Sequence, residues 1–498
     1  MHRRAFLQAT SALALLAALP VRAAPDTPLL EVARALAARP HVAPADRLPP
    51  PFADLTYDAF RAIRPKVGKA ALIPHGPRFA IDLLPPGLYF PTPVVVERDT
   101  GAGPERIAFS TDLFDFAPRY FDDIPDDTPG AGFSGLRLRY PLNVADRMDE
   151  VLVIQGASYF RAIGRAMVYG LSARAVALGT GGPDPEEFPR FTQLRLHPAH
   201  EGSVRIEGVI DSPSLAGHVD MVLQPGADTR IDLSVTILPR REIVDIGVAP
   251  LTSMYLKGPI RSAVSDDFRP RVHDSDLLVI ENGAGEQLWR PITNPATLQT
   301  SAFVDDSPAR FGLYQGPRDY ADFEDTEARY HDRPSALVTP ATDWGRGAVM
   351  LVEIPTGDEF MDNIVAFWRP ETPLAAGSEH RFDYRLTWTR DLPSGTGHAI
   401  RQSRSGREHD TPGARRYVID FEGSSNGLQP DISALQDARI AGVSLFPLPD
   451  QSGTRVTFLL SPRDASPVDL RLVLRDAAGQ AQSPVWLHRW TPARDGGV

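Results

Sequence analysis

Short stretches in which apolar and polar residues alternate recur along this chain, and they constrain its fold more than any other feature. Clear examples are 203–210, 230–237 and 349–354. Such alternation is typical of a β-strand with one buried and one exposed face. Helical patterning is confined to short pieces such as 29–38 and 57–63. Strands without long intervening helices favour antiparallel sandwiches over βαβ units, so the sequence predicts an all-β protein.

A change in composition at 393–412 indicates a domain boundary. Ser, Gly, Thr, His and Arg replace hydrophobic residues there, ahead of the next expected strand at 417–421. The remainder of the chain, 413–498, has the size of one small immunoglobulin-like β-sandwich. We therefore expect a large N-terminal antiparallel β-sandwich over 24–392, a linker over 393–412 and a small C-terminal immunoglobulin-like β-sandwich.

The first 23 residues have the pattern of an export signal. Paired Arg3 and Arg4 precede an apolar run at 11–19, which is too short to span a bilayer. Small residues around Ala23 favour cleavage after it, and the arginine pair followed by Phe-Leu indicates the twin-arginine route. An N-terminal membrane anchor is the alternative. No later stretch approaches the roughly 18 apolar residues of a spanning helix, so we expect no membrane span in the mature chain.

Charge and cysteine content exclude several function classes. The chain has 52 Lys and Arg against 63 Asp and Glu, a formal charge of −11, and removal of the signal makes it more acidic still. Such a chain is a poor candidate for binding nucleic acid or anionic lipid. It has no cysteine. Thiolate metal sites and cysteine nucleophiles are therefore excluded, and stability must come from core burial.

Familiar motifs for phosphate, zinc or serine chemistry are absent from the sequence. There is no Walker loop, no His-Glu-x-x-His and no Gly-x-Ser-x-Gly. The glycine-rich 179–182 is followed by Pro183, so we interpret it as a turn rather than a phosphate loop. The acidic cluster at 122–127 lacks the spacing of a calcium loop and is interpreted as a solvated loop. No cofactor and no metal is expected.

Carboxylates, arginines and aromatic residues are concentrated between His273 and Trp368. Flat apolar rings beside planar hydrogen-bonding groups suit a polysaccharide cleft, although each aromatic residue could equally be a core residue. If the cleft is catalytic, one carboxylic acid would protonate the leaving glycosidic oxygen and another would activate water.

Several blocks of sequence carry a resemblance to a known family. They lie in one order along nearly the whole mature chain: GFSGLR (132–137), YPLN (140–143), GASYFRAIG (156–164), YGLSAR (169–174), EEFP (186–189), DSP (211–213), GVAPLTSMY (247–255), RP (269–270), HD (273–274), WRP (289–291), RPS (333–335), WG (344–345) and DNIV (362–365). In these blocks the chain resembles the periplasmic glucan biosynthesis proteins, types G and D, of Gram-negative bacteria.

The resemblance implies the same two-sandwich fold, a periplasmic location and a role with osmoregulated periplasmic glucans, whose backbone is β-1,2-linked glucose. Members of the D type use the twin-arginine route, so the N-terminal arginine pair favours the D type. The partner it implies is β-1,2-glucan or a related periplasmic glucan, and a homodimer is left open. A non-catalytic glucan-binding or scaffold protein is the alternative to an enzyme that cleaves or remodels β-1,2-glucan.

The family's two catalytic aspartates fall on Asp274 and Asp362, with Asp362 as the expected general acid and Asp274 as the expected general base. The resemblance also implies further substrate-binding residues: Tyr330, Arg333, Glu359, Trp289, Trp344, Arg290 and His273. Two family aromatics are replaced, by Gln287 and Leu337. The segment 401–406 resembles a family loop that closes over the cleft.

Overall fold

The computed structural model describes residues 28–44, 48–125, 128–260, 266–392 and 397–492. The expected signal peptide, and part of the acidic cluster at 122–127, lie outside the described residues.

The first half of the chain forms eighteen strands within the described ranges. They are β1 Ile63–Pro65, β2 Ile73–His75, β3 Phe79–Leu84, β4 Val95–Asp99, β5 Pro104–Arg106, β6 Phe114–Phe116, β7 Gly135–Tyr140, β8 Asp149–Gln155, β9 Tyr159–Ala162, β10 Ser172–Arg174, β11 Val176–Leu178, β12 Arg190–Leu196, β13 Val204–Asp211, β14 Leu215–Gln224, β15 Thr229–Pro239, β16 Ile246–Ser253, β17 Tyr255–Lys257 and β18 Val272–His273.

The second half of the chain continues with fifteen strands over its described residues. They are β19 Leu277–Glu281, β20 Gln287–Pro291, β21 Gln299–Asp306, β22 Arg310–Tyr314, β23 Ser335–Pro340, β24 Arg346–Glu353, β25 Ile364–Pro370, β26 His380–Thr389, β27 Ile400–Arg407, β28 Arg415–Glu422, β29 Gln429–Ala434, β30 Ala438–Pro447, β31 Gly453–Pro462, β32 Val468–Arg475 and β33 Val485–Trp490.

Two large sheets face each other and enclose the main hydrophobic core. One has the order β2-β3-β7-β8-β9-β10-β16-β25-β24-β21, with β11 also paired to β16. The other has the order β29-β32-β33-β20-β19-β22-β23-β26-β15-β14-β13-β12-β4-β5. Buried side chains from both sheets, such as Leu138 and Leu351 from the first and Val219 and Leu386 from the second, share one cluster. The predicted all-β sandwich fold is thereby confirmed.

The C-terminal strands form a second, smaller sandwich. A four-stranded sheet of order β27-β28-β31-β30 faces β29, β32 and β33. Tyr417, Phe458 and Trp486 are fully buried between these layers. The same cluster contains Trp289, which comes from strand β20 of the large body. The two sandwiches therefore share a core.

The expected linker at 393–412 needs a correction, because it contains a strand. Residues 393–396 lie outside the described residues, but β27 (Ile400–Arg407) pairs with β28 along its length. Its polar sequence gave no strand signal because β27 is an edge strand whose side chains are mostly half-exposed or exposed. The boundary in composition thus marks an edge strand as well as a connection.

Two short α-helices are described, both near the start of the chain. Helix α1 (Leu29–Ala37) buries Leu29 and Ala33, spaced four residues apart, against the sheet residues Val209 and Leu238. Helix α2 (Tyr57–Arg61) is capped by the Thr56 side chain, which accepts a hydrogen bond from the Ala59 N–H at 3.2 Å. Within the described ranges no helix is long and apolar enough to cross a membrane.

Candidate functional site

The two candidate catalytic aspartates lie at the ends of two strands from different sheets, β25 and β18. Asp362 comes just before β25, and Asp274 follows β18 directly. Asn363 joins the two regions, because its buried amide accepts a hydrogen bond from the Tyr255 N–H at 2.8 Å and donates one to the Tyr255 carbonyl at 3.1 Å. The Asp274 N–H donates in turn to the Met254 carbonyl at 2.8 Å. The fold thus brings together residues that are far apart in sequence.

Asp362 faces a cavity of about 590 Å³ on the first large sheet. Its side chain is 32% exposed, and Nη2 of Arg161 lies 3.3 Å from Oδ2. Burial is the main cause that raises the pKa of the Asp362 carboxyl, and the charge of Asp274 adds to it, while Arg161 opposes the rise. A cleft-facing carboxyl with a raised pKa is suited to donate a proton. The cavity is lined by Tyr89, Phe90, Arg137, Glu150, Val153, Gln155, Gly156, Ala157, Tyr159, Phe160, Arg161, Tyr169 and Asp362.

Asp274 is buried and forms an ion pair with Arg333. Nη1 of Arg333 donates to Oδ1 of Asp274. Burial raises the pKa of the Asp274 carboxyl, whereas the charge of Arg333 opposes the rise. With only 4% of its surface exposed, this carboxylate reaches solvent or a ligand only through another group.

A polar network extends from Asp274 to the loop that carries Asp362. The Arg333 guanidinium lies over the Tyr330 ring at 4.3 Å, and the Tyr330 hydroxyl donates to Oε2 of Glu359. Arg269 donates to the same Glu359 oxygen at 2.8 Å and to Asp325 at 2.9 Å. Tyr330, Arg333 and Glu359 therefore lie together in a network beside Asp274. Tyr330 is only 1% exposed and none of the three lines the Asp362 cavity, so their expected role in binding substrate stays a prediction.

Four other residues expected to bind substrate lie in protein cores. Trp289 is 1% exposed and belongs to the shared core of the two sandwiches. Trp344 is 7% exposed and packs against Trp368, Phe382 and Tyr384. Neither ring has a face free for a sugar, so the expected stacking role of both does not fit the structure.

Arg290 and His273 are also structural. The buried Arg290 guanidinium pairs with Glu353 at 3.0 Å. His273 is fully buried, stacks on Tyr255 with ring centroids 5.2 Å apart, and shares a 2.6 Å hydrogen bond between Nδ1 and Oε1 of Gln315. Burial lowers the pKa of His273 to about 3, so the ring stays neutral. Both side chains are buried and hydrogen-bonded within the protein, and neither lines the Asp362 cavity.

The segment 401–406, expected to close over the cleft, does not line the Asp362 cavity. Arg401, Gln402 and Arg404 instead line a separate cavity of about 720 Å³ between the two sandwiches, opposite Arg271 and Arg318. The glycine-rich 179–182 forms a turn, with the Gly182 N–H donating to the Gly179 carbonyl at 3.0 Å, as predicted.

Several cleft residues had no role assigned from the sequence. Arg161 and Tyr159 belong to strand β9, and Tyr169 lies just before β10. All three fall inside the blocks 156–164 and 169–174 that carry the family resemblance. The resemblance therefore included these residues but assigned them no role. The Arg174 guanidinium supports this wall from behind, 4.7 Å from the Tyr159 ring centroid.

Nothing in the described part of the chain groups three or more His, Asp or Glu side chains in a way that could hold a metal ion. The arrangement at the cleft is thus one partly exposed carboxyl group, one buried carboxylate held by arginine, and a wall of tyrosines and arginines. These groups can donate and accept protons and can bind hydroxyl groups.

Fold and cleft together define a two-sandwich β protein with a carboxyl-bearing, tyrosine-lined polar cleft. The chain belongs to the periplasmic glucan biosynthesis protein family, MdoG, whose family model matches residues 27–490.

Curated relatives agree with this assignment. The chain is 41% identical over 477 residues to "Glucans biosynthesis protein G" of Vibrio cholerae serotype O1, covering 93% of this chain and 86% of the relative. It is 39% identical over 472 residues to the protein of the same name from Shewanella frigidimarina, covering 93% and 84%. The similarity is thus to proteins named for the G type, which corrects the expectation of the D type. The arginine pair that favoured the D type is a short local pattern, whereas these matches cover 93% of the chain.

Proposed function

We propose that the protein acts in the periplasm on β-1,2-glucan, which it cleaves or remodels by acid/base catalysis. The observation that carries this proposal is the carboxyl group of Asp362, which is 32% exposed in the wall of the 590 Å³ cleft and whose pKa is raised by burial. A carboxyl group whose pKa is raised and which faces a ligand cleft is suited to protonate a glycosidic oxygen.

In the proposed reaction, Asp362 donates its proton to the glycosidic oxygen as the bond between this oxygen and the anomeric carbon breaks. A water molecule adds to the anomeric carbon and loses a proton, which passes through a relay to the Asp274 carboxylate. If a sugar hydroxyl replaces the water, the same steps give transglycosylation. The charge of Arg333 favours the ionised form of Asp274, because it opposes the rise in pKa that burial causes.

A second candidate function is non-catalytic glucan binding. It is favoured by the burial of Asp274, which is 4% exposed and already paired with Arg333. Under this alternative the ion pair would be a structural element, and the cleft would guide a glucan chain without cleaving it.

Incubation of the purified protein with linear β-1,2-glucan distinguishes the two. We expect new reducing ends or cyclic products from the wild type. Asp362→Asn and Asp274→Asn should each lower turnover by about a hundredfold or more, because both proton transfers belong to one reaction. Asp437→Asn, the same change at a carboxylate that is 72% exposed on the small sandwich, is the matched control and should leave turnover unchanged.

Binding without product at high protein concentration would contradict the enzyme and support the glucan-binding alternative. Near-normal turnover in Asp362→Asn would show that another group supplies the proton.

A further inference from the structure

The wall of the cleft that includes Tyr89 and Tyr169 has two features that the acid/base chemistry does not use. Tyr89 is an aromatic side chain that is 78% exposed although it lines the Asp362 cavity. The Tyr169 hydroxyl lines the same cavity, is shielded from solvent, and has no hydrogen-bond partner among the described residues. We infer that Tyr89 and Tyr169 form a pyranose-binding subsite of this cleft. This inference rests on the proposed function and deepens it.

Tyr89 is held in place by a tight turn whose backbone is fixed. The Gly87 N–H donates to the Phe90 carbonyl at 3.1 Å, and the Phe90 N–H donates to the Gly87 carbonyl at 2.8 Å. Leu88 adopts a left-handed φ of 52°, which is uncommon for a residue other than glycine. Backbone strain of this kind is typical of sites where a side chain must be presented in one position.

The residue after Tyr89 packs against its neighbours and so holds the turn in place. Phe90 lies so close to Gly156 that a Cβ at position 156 would come 2.8 Å from Cε1 of Phe90. Phe90 further contacts Phe60, with ring centroids 6.2 Å apart. The Tyr89 ring therefore stands on a rigid support while remaining uncovered, which is the state of an aromatic platform before its ligand binds.

The Tyr169 hydroxyl supplies the polar half of the subsite. A shielded hydroxyl without a partner costs free energy, and such groups in folded proteins call for an explanation. A hydroxyl can both donate and accept, so it matches the hydroxyl groups on the rim of a sugar ring. The charged side chains that line the cavity are paired with one another: Arg137 with Glu150 at 3.0 Å and Arg161 with Asp362 at 3.3 Å, while Arg139 also reaches Glu150 at 2.9 Å.

The ligand class follows from this combination. A flat apolar ring face beside a hydroxyl and a neutralised ion pair suits an uncharged pyranose better than an anion or an apolar molecule. Because Asp362 lines the same cavity, the sugar at this subsite would belong to the same glucan chain that reaches the acid.

The test measures binding separately from cleavage. Calorimetric titration of the full-length Asp362→Asn protein with linear β-1,2-glucan gives a dissociation constant without turnover. In this background Tyr89→Ala should raise Kd about tenfold, whereas Tyr89→Phe, which keeps the ring, should have little effect. Tyr120→Ala, the same substitution at another partly exposed tyrosine that does not line the cavity, is the matched control and should leave Kd unchanged.

Tyr169→Phe separates a binding role from a structural one. Because its hydroxyl has no partner among the described residues, its removal should leave the melting temperature unchanged or raise it, while Kd rises several-fold. A lowered melting temperature with unchanged Kd would overturn the binding role of this residue.

The outcomes also separate this inference from the proposed function. Unchanged Kd in Tyr89→Ala overturns the subsite even if the wild type cleaves glucan. Binding that depends on Tyr89 in a wild type that makes no product supports the subsite and overturns only the enzyme. Absence of any binding of β-1,2-glucan overturns both.

Discussion

Arg161 is a cation that acts electrostatically on both aspartates of the cleft. Its guanidinium is 3.3 Å from Asp362, and its charge lowers the pKa of both Asp362 and Asp274. The charges that act on Asp362 come from Arg161, Asp274, Arg174 and Arg333. Among the three cations, Arg161 has the largest effect, so it sets how far burial can raise the pKa of the acid.

Replacing Arg161 by Gln should change the pH dependence of activity in a definite direction. Without the cation, the pKa of Asp362 rises further above its usual value. Because the acid must be protonated to act, activity is lost as pH rises through this pKa, so the basic limb of the pH profile should move to higher pH. Measurement of kcat/KM against pH checks this.

The matched control is Arg165→Gln, which removes an exposed arginine nearby whose side chain donates to the Leu142 carbonyl. Its basic limb should coincide with that of the wild type. A basic limb that stays in place or moves to lower pH in Arg161→Gln would show that Asp362 is not the titrating acid.

At the scale of single residues, the sequence predicted the polar members of the site better than the aromatic ones. Arg333 falls in the family block 333–335, and Glu359 falls in the stretch between His273 and Trp368 that is rich in charged residues. Each forms an ion pair, Arg333 with Asp274 and Glu359 with Arg269, because charged groups are rarely buried without partners. Trp289 and Trp344 are buried because large apolar rings fill cores, and alternation does not tell which face of a sheet is covered. Tyr89 follows the Pro-Gly pair at 86–87, and this pair predicts a turn but no binding role.

Among the elements, the segment between β24 and β25 decides where Asp362 lies. Asn363 lies at the end of this segment, and its fully buried side chain binds the backbone at the other end, next to β24. The Asn363 amide donates to the Ile354 carbonyl at 2.9 Å and exchanges two further hydrogen bonds with the Tyr255 backbone. One side chain thus closes the Asp362 loop and ties it to β17, which pairs with β18, the strand that precedes Asp274.

Asn363→Ala should destabilise the protein and impair the site together. Three backbone groups would lose their buried partner, which we expect to lower the free energy of unfolding by ~3 kcal/mol. Denaturant titration measures this loss, and turnover of the folded fraction should also fall because Asp362 is no longer fixed. Asn426→Ala, on an exposed turn, should change stability by less than ~0.5 kcal/mol. Equal stability of the two variants would contradict the role given to Asn363.

The sequence predicted the positions of strands more reliably than it predicted which strands pair with each other. The alternation at 230–237 corresponds to β15 (Thr229–Pro239), because that strand has one face in the core and one in solvent. Strand β16 (Ile246–Ser253), which is buried along its whole length, gives no alternation, and β27 was missed because its edge position leaves it polar. Pairing across the chain, such as β20 with β33, has no local signal.

For the whole molecule, the continuous sheet has a thermodynamic consequence. Strand β33 pairs in parallel with β20, and Trp486 of β33 packs in the same core as Trp289 of β20. The two sandwiches should therefore unfold in one cooperative transition, although the sequence suggested two domains. Differential scanning calorimetry tests this directly.

Trp486→Ala sharpens the test, because its ring is fully buried in the shared core. The substitution should cost ~3–5 kcal/mol and lower the midpoint of the single transition. Phe446→Ala, at a ring that is 42% exposed on the small sandwich, is the control and should have a small effect. Two separate transitions, of which only one moves in Trp486→Ala, would show that the sandwiches unfold independently.

The pairing of β20 with β33 also bears on how the chain is made. A ribosome delivers β20 long before β33, so during synthesis one edge of the large sheet has exposed backbone groups and an uncovered Trp289 side chain. The nascent chain must be protected from joining the strand edges of other chains until its final strands emerge. Completion of the fold must therefore wait for the synthesis of β33, and the chain is most vulnerable to aggregation in the interval before β33 arrives.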